Sequence, residues 1–482
     1  MDVAVCLFTS DLRVHDQPVL RAAVRAATQV VPLFVVDSGV AAAGFVTANR
    51  AAFLAAALAD LDARLRSRGG RLILRTGEVV AETCRVAAEC GAGEVHLAAG
   101  VSGYAARRER RLAARLAAEG RQLVVHDAVI TAVPPGAVVP SGGSRAGTGA
   151  GAGPGSRPGP GTRTGPGKDH FAVFTPYFRR WRAEGTRAVV AAPRTVAVPE
   201  GVRSAALPTG AELCPGGRPS PALPEGGETA GRRRFASWRR TGLAAYEDRH
   251  DDLPGDATSR LSPYLHFGCV SPVELVRTAA DRDDAGARAF VRQLAWRDFH
   301  HQVLAARPAA AWQEYRPRGD RRRGDGAEAA AWRAGRTGYP VVDAALRQLR
   351  HEGWMHNRAR LLAASFLAKT LYVDWRIGAR HFLDLLVDGD LADNQLNWQW
   401  AAGTGTDTRP NRVLNPVVQG RRFDPEGVYV RRWVPELAGL PGAAVHRPWL
   451  LDDRERAAVD YPAPVVEPDE GAARFRRARG LA

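Results

Sequence analysis

The chain has 482 residues, 45% apolar and 24% charged, the balance of a soluble globular protein with room for two or three domains. No apolar run reaches the ~18 residues that a membrane span needs, which argues against a membrane protein. Five scattered cysteines, Cys6, Cys84, Cys90, Cys214 and Cys269, are never spaced C-x-x-C, which argues against a disulfide framework or thiolate metal site and for a reducing cytoplasm. The 67 Lys and Arg outnumber the 51 Asp and Glu, for a net charge of +16, and so point to a polyanionic partner, nucleic acid above all. Lys168 and Lys369 are the only lysines. With so much Ala and Gly, this reads as the codon bias of a GC-rich genome rather than as function.

Residues 1–130 alternate short apolar runs with helical segments. Val3–Phe8, Val30–Val36, Leu72–Leu74, Val95–Leu97 and Leu123–Val125 read as buried parallel strands. Asn49–Arg66, Ala81–Ala88 and Ala105–Ala118 carry helical periodicity. The alternation predicts a doubly wound, Rossmann-like α/β domain with its ligand site at the carboxyl ends of the strands. Residues 131–234 read as an interdomain linker. Within it, 141–167 is almost wholly Gly, Pro, Ser, Thr, Ala and Arg, too poor in apolar surface to offset its ordering entropy, so disorder is expected there. Its spaced glycines, Gly147–Gly153, lack the preceding strand and following helix of a phosphate-binding loop. From about Phe235 the pattern changes to long helical periods, and ten of the eleven tryptophans, all but Trp181, lie in this half. Residues 235–482 therefore read as a separate all-α domain.

Four segments of that half carry candidate chemistry. In the first, Tyr246 precedes Thr258, Ser259, Arg260, Leu261 and Ser262, whose hydroxyls and guanidinium ahead of a helical run suit phosphate oxygens at a helix N-terminus. Thr258 or Ser259 as a plain N-cap explains the same pattern. In the second, Phe290–His301, the residues Gln293, Trp296, Arg297 and His300 recur at three- and four-residue steps on one helical stripe. Aromatic, amide and cation together suit stacking on and bonding a base; a half-buried Trp with a solvated flank fits equally. The third joins Gly338–Asp343 to Gly353–Leu361, with Asn357, Arg360 and Leu361 on one face and Trp354 and Arg358 on the next. That is either a site for a buried polar ligand or a solvated face. In the fourth, Asp388-Gly389-Asp390 leads to Asn394, Trp398 and Trp400. The two acids could pair with those arginines, bind ring nitrogens and hydroxyls of a cofactor, or form an ordinary turn. Residues i and i+2 on a helix point ~200° apart, so Trp398 and Trp400 should face opposite ways.

Taken together, these segments resemble the photolyase/cryptochrome family over nearly the whole chain. Asp11-Leu-Arg-Val-His-Asp16 resembles the family's opening signature, and Phe174-Thr-Pro-Tyr-Phe-Arg-Arg-Trp181 its post-linker segment. Thr258–Ser262, Thr337–Pro340, Trp354–Arg358, Asp388–Asp390 and Trp398–Trp400 through Gly403–Asp407 resemble its flavin domain. The resemblance implies an N-terminal antenna domain and a C-terminal helical domain that holds FAD in a folded form. By it, Tyr246 and Thr258–Ser262 meet the phosphates and ribitol, Arg360 pairs with Asp388, Gly389 and Asp390 lie in the flavin site, and Asn394 faces flavin N5.

The implied reaction is light-driven repair of cyclobutane pyrimidine dimers. Excited, two-electron-reduced FAD donates an electron to a dimer flipped out of double- or single-stranded DNA, the ring splits, and the electron returns. A cytoplasmic monomer is expected. Trp296 and Trp400 match residues that stack on the dimer, and Gln293 and Asn357 complete the catalytic set. Arg358 and Gln419 match DNA-contacting positions, and Arg297 and His300 share the base-facing stripe. His250 falls where an Arg often touches phosphate, with Arg249 adjacent. Gln293 stands where many relatives carry Glu, Leu361 replaces a frequent Met, and Leu7-Phe8-Thr9 replaces the usual aromatic-Phe-Arg. A (6-4) photolyase would carry a His pair in place of His356-Asn357. A cryptochrome-like light sensor would ordinarily extend further than the roughly seventy residues that follow Gly403–Asp407. A second, antenna chromophore is expected, 8-hydroxy-5-deazaflavin in preference to folate, on the actinobacterium-like composition alone. Trp398 and Trp375 match the proximal and middle members of the family's photoreduction chain. Its distal tryptophan falls at Arg322, so slow photoreduction is expected unless Tyr315 or Trp312 substitutes. Residues 316–323, with five arginines, could alternatively be a basic loop on DNA phosphate.

Overall fold

The computed structural model describes residues 2–140 and 169–481, so the expected disordered insert 141–167 lies outside the described residues. Five parallel strands form one sheet in the order β3-β2-β1-β4-β5: β1 Val3–Phe8, β2 Gln29–Asp37, β3 Ile73–Gly77, β4 Glu94–Ala98 and β5 Gln122–His126. All of β1 is buried, as expected of a central strand covered on both faces. Val5 lies opposite Val31 on one side and Val95 on the other. The helices Ala48–Arg66, Val79–Glu89 and Gly103–Ala118 stand where periodicity placed them. Helix Pro18–Ala26 is not among the helices that periodicity marks. The strand order reverses between β1 and β4, so the switch point lies at residues 9–11 and 99–102. There the Gly100 N–H donates to the Glu109 carboxylate at 2.8 Å, and Ser102 caps the following helix.

The Asp11–Asp16 segment is a buried strut. The Arg13 side chain, about 1% exposed, donates to the carbonyls of Asp16, Gly268 and Val129, each at 3.0 Å. Glu228, at the start of helix Glu228–Thr241, accepts from the N–H groups of Val14 at 2.7 Å and His15 at 3.2 Å. These bonds explain how the chain partitions. It forms two compact units, one of Met1–Gly217, Glu225–Ala244 and Ser259–Ala309, the other of Arg218–Pro224, Ala245–Thr258 and Ala310–Ala482. The partition cuts across the expected boundaries at 130 and 235: helices Glu228–Thr241 and Ala285–Ala306 group with the sheet. Residues 131–234 also hold helices Phe174–Glu184 and Gly210–Leu213.

The second unit is helical and closes on a core that includes Trp332, Tyr339, Phe366, Trp375 and Trp398. Asp374 caps helix Trp375–Leu385, and Asp390 caps Leu391–Ala402, which ends on Gly403 at φ 77. Gly378 is required for packing, since a Cβ there would meet the Trp398 ring at 2.1 Å. Among the described residues no helix is long and apolar enough to cross a membrane.

Lys369 sits in a turn of π-helix, Phe366–Thr370, only 2% exposed, and donates to the Arg412 carbonyl at 2.6 Å. Burial pushes its ammonium down to about 8 from 10.5, with Arg479, Arg322 and Arg412 acting in the same direction and Asp407 opposing. Below that window both folded and unfolded chains hold the proton. Inside it the unfolded chain is protonated and the folded one is not, so stability rises with pH. Relative to Lys369→Met, the wild type should therefore gain about 3 kcal/mol between pH 7 and 10.5 in denaturant titrations. A pH-independent difference would refute it.

Candidate functional site

In the second unit, Asp388, Gly389 and Asp390 join helix Trp375–Leu385 to Leu391–Ala402. The Asp390 carboxylate accepts from the Asp393 N–H at 3.0 Å. Asp388 Oδ2 accepts from Arg360 Nη2 at 2.7 Å, and Arg360 Nε donates to the Met355 carbonyl at 2.8 Å. The pair is thus fixed by helix Asn357–Ser365, as the sequence suggested. Asp388 is buried, and its second oxygen, Oδ1, has no partner among the described residues. A carboxylate oxygen withdrawn from water without a donor is costly, so the arrangement suits a polar ligand. Asn394, also buried, uses its amide nitrogen on the Ala379 carbonyl at 3.0 Å and Gln395 Oε1 at 2.9 Å, which leaves its carbonyl oxygen as the group able to accept.

The Thr258 hydroxyl is likewise buried without a partner among the described residues. Asp256 and Arg260, either side of it, both adopt left-handed backbone, φ 43 and 52. Such strain in non-glycine residues persists only where the surroundings impose it, and it gathers at functional sites. Tyr246 is buried, and burial pushes its hydroxyl above the usual range. His250 turns Nδ1 toward the carbonyls of Tyr246 at 3.0 Å and Glu247 at 2.8 Å, while Arg249 pairs with Asp252 at 3.1 Å. Arg358 binds Asp251 through both Nε, at 3.2 Å, and Nη2, and lies 4.3 Å over the Phe423 ring. Nothing in the sequence marks these partners, 107 and 65 positions away. Asn357 is exposed, whereas Gln419 is buried and so offers no open surface to DNA in this conformation. Trp398 is 2% exposed and Trp400 only partly buried, as expected of residues on opposite sides of a helix.

In the first unit, the expected stripe on helix Ala285–Ala306 divides. Gln293 is exposed and Trp296 partly buried, but His300 is buried. The Arg297 side chain, 11% exposed, donates to the Ile130 carbonyl at 2.5 Å and the Leu265 carbonyl at 3.4 Å. Arg297 is therefore committed to main-chain oxygens rather than open to phosphate, because it enters a stretch of the helix, Asp298 to Leu304, that is buried on every side. Its neighbour Asp298 is buried and accepts from the Trp181 indole at 2.9 Å. Trp296 lies face to face on Phe174, centroids 3.7 Å apart and planes 6° from parallel, a partner that sequence reasoning missed. Leu261 is buried, the Ser259 carbonyl accepts from Arg234 Nε at 2.7 Å, and Ser262 opens the short helix Ser262–His266.

Residues 4–148 match the family model described as DNA photolyase, and residues 290–479 the model described as FAD binding domain of DNA photolyase. The chain is 64% identical to the deoxyribodipyrimidine photo-lyase of Streptomyces griseus over 481 residues, 100% of each chain. Its fold resembles the crystal structure of a bacterial class III photolyase from Agrobacterium tumefaciens, with a TM-score of 0.87 at 29% identity, covering 100% of this chain and 97% of that one. It also resembles that of an archaeal photolyase from Sulfolobus tokodaii with two FAD molecules, with a TM-score of 0.81 at 26% identity, covering 100% of each. The chain, with its FAD-binding region, belongs to the DNA photolyase family.

Proposed function

We propose that the protein is a light-driven repair enzyme for cyclobutane pyrimidine dimers in DNA. The observation that carries the reading is Asp388: one carboxylate oxygen is held by Arg360 and the other is buried without a partner among the described residues. That lone oxygen fits an N–H of a flavin ring, and the partnerless Thr258 hydroxyl fits a phosphate or ribityl oxygen of FAD. Tyr246, Thr258–Ser262, Arg360 and Asp388–Asp390 would hold FAD. Reduced FAD, excited by light, supplies the electron that the dimer accepts and gives back.

The chain's own residues do the rest. The Asn394 carbonyl holds the proton of a reduced flavin N5 by accepting from it. The Arg360–Asp388 pair orients the ring, and the apolar core around Trp398 excludes water. Trp296 has one face covered by Phe174, so a flipped pyrimidine stacks on the other. In the second unit, the partly buried Trp400 offers a further ring for stacking. The exposed amides of Gln293 and Asn357 bond pyrimidine carbonyls, and Arg358, tied to Asp251, can exchange that carboxylate for a phosphate.

Ultraviolet-irradiated oligonucleotide, incubated with chemically reduced protein, should lose dimers under blue light and keep them in the dark. Retention of dimers in the light would overturn the reading in favour of a cryptochrome-like sensor. Trp296→Ala should lose most of the preference for dimer-bearing over intact DNA, since stacking contributes ~1–3 kcal/mol per base. Unchanged selectivity in a binding titration would show that Trp296 is only a packing residue.

A second, light-harvesting chromophore belongs to the same proposal, with 8-hydroxy-5-deazaflavin the preferred identity. Supporting it, Arg108, on the helix that follows β4, has a buried Nε without a partner among the described residues, and Tyr104 on the same helix bonds Asp37 at the end of β2. Extraction from native cells that yields only folate, or nothing beyond FAD, would overturn it. We take the working form to be a cytoplasmic monomer.

A further inference from the structure

Within the first unit, the Trp296–Phe174 stack is the start of a longer arrangement. Phe174 lies nearly parallel to Phe178, centroids 5.5 Å apart at 14°, and Phe178 to Trp181, 6.1 Å apart at 25°. Four rings thus run in series from helix Ala285–Ala306 along helix Phe174–Glu184. Guanidinium groups gather on this ladder. Arg292 lies 5.0 Å over Phe174 and 5.3 Å over Phe178, and Arg182 lies 6.0 Å over Phe178 from the other turn. Phe178, Arg179, Arg182 and Ala183 line an open cleft of about 370 Å³. Among the described residues, Arg179, Arg182 and Arg292 have no carboxylate partner, whereas neighbouring arginines do: Arg180 pairs with Glu184 at 3.5 Å, Arg288 with Asp283 at 2.7 Å, and Arg307 with Asp169 at 2.5 Å. Three exposed cations left unneutralised beside flat apolar rings are the complement of a polyanion whose backbone is punctuated by planar groups.

We propose that Arg179, Arg182 and Arg292, with Phe178 between them, form an accessory DNA-backbone surface that grips the strand beside the lesion-stacking Trp296. The inference rests on the repair reading for the role of Trp296. The occupant is a DNA strand. The chain's own residues 141–168 carry arginines and a lysine but no acid, so they do not complement the patch. An acidic protein would match the charge but would leave the half-buried Phe178 ring in the cleft unexplained.

The test uses the full-length, FAD-loaded protein and a duplex oligonucleotide carrying one thymine dimer, beside the same duplex undamaged. Kd is measured by titration across a salt series. Changing Arg179→Gln, Arg182→Gln and Arg292→Gln together should weaken both duplexes by a similar factor. It should also flatten the slope of log Kd against log salt by about 2 to 3, at ~0.9 for each phosphate no longer neutralised. The repair rate at saturating DNA should not change, because none of the three touches the reacting atoms. A control triple on helix Gly103–Ala118, Arg107→Gln, Arg110→Gln and Arg115→Gln, removes the same charge and should leave the slope as in wild type. An unchanged slope in the first triple, an equal change in the control, or a loss confined to damaged DNA would each overturn the surface. Wild-type protein that binds and repairs no dimer would instead overturn the repair reading on which it rests.

Discussion

Purified wild-type protein should be yellow or blue with FAD bound noncovalently, and the variant combining Asp388→Ala with Asn394→Ala should be nearly colourless. Removing the Asp388 carboxylate strips Arg360 Nη2 of its acceptor in a site where the carboxylate is 1% exposed, and it removes the oxygen that no donor among the described residues uses. Removing Asn394 takes away the carbonyl oxygen left after its amide nitrogen has bonded Ala379 and Gln395. Hydrogen bonds to charged groups contribute about 1.5–3 kcal/mol each. Asp388 accounts for one such bond, and the neutral Asn394 amide adds about 0.5–1.5 kcal/mol; a combined loss of about 2–4.5 kcal/mol weakens binding at least about thirtyfold, enough to lose the cofactor during purification. The helix cap at Asp390 is untouched, so the fold should survive, which circular dichroism would verify. Asp388→Asn, which keeps the shape but not the charge, should retain an intermediate amount. Full flavin occupancy in the double variant, read from absorbance after denaturation, would remove Asp388 and Asn394 from the pocket.

How far the sequence revealed this arrangement depends on the range of each interaction. The strands were legible because buried parallel strands are continuous apolar runs, and β1 is buried at every position. The Arg360–Asp388 pair was legible only through family motifs, since no local pattern joins residues 28 apart. The helical stripe failed for a different reason. Spacing alone places Gln293, Trp296, Arg297 and His300 on neighbouring positions, but it does not say which flank meets water. Phe174 covers one side of Trp296, and the Ile130 carbonyl draws Arg297 inward. Both partners lie more than a hundred positions away. The same limit hid the Arg358–Asp251 pair. It also hid the ring ladder, in which Arg292 and Phe178 meet from different helices.

Photoreduction of oxidised flavin in the isolated protein should be slow, and Trp312→Phe should remove most of what remains. Position 322, where the distal tryptophan of the family's chain would stand, holds a buried guanidinium. The Arg322 side chain is 3% exposed and donates to Asp320 at 2.7 Å and to the carbonyls of Ala368 at 3.0 Å and Ala402 at 3.2 Å; Arg479 binds the same Asp320 at 2.7 Å. It is a strut, not a redox group, and it is not open to DNA phosphate. Its loop neighbours are engaged too: Arg318 donates to the Gly403 carbonyl at 3.0 Å and Arg323 binds Glu328. The basic-loop reading of 316–323 therefore fails for Arg322, whereas Arg318, Arg321 and Arg323 are exposed. Trp375 is fully buried, and the Arg376 guanidinium lies 5.0 Å over its ring. A cation there opposes a positive hole on the indole, which favours return of the electron. The same Arg376 donates Nε to the Trp312 carbonyl at 2.8 Å, which brings Trp312 to the residue that covers Trp375. Trp312 is 50% exposed, so its oxidised indole could release a proton to water. Tyr315 instead lies beneath the Arg316 guanidinium at 5.6 Å, an unfavourable place for a hole, and Tyr315→Phe should have little effect. Repair by chemically reduced protein should be unchanged in both variants, because returning the electron from the split dimer does not involve this route. Arg322→Trp is a poor gain-of-function test, since it breaks a buried ion pair whose loss costs about 3–5 kcal/mol. Transient absorption separates the outcomes. A tryptophan radical that decays quickly in Trp312→Phe but persists in wild type supports Trp312 as the terminal donor, whereas rapid photoreduction surviving both Trp312→Phe and Tyr315→Phe means that the electron enters elsewhere.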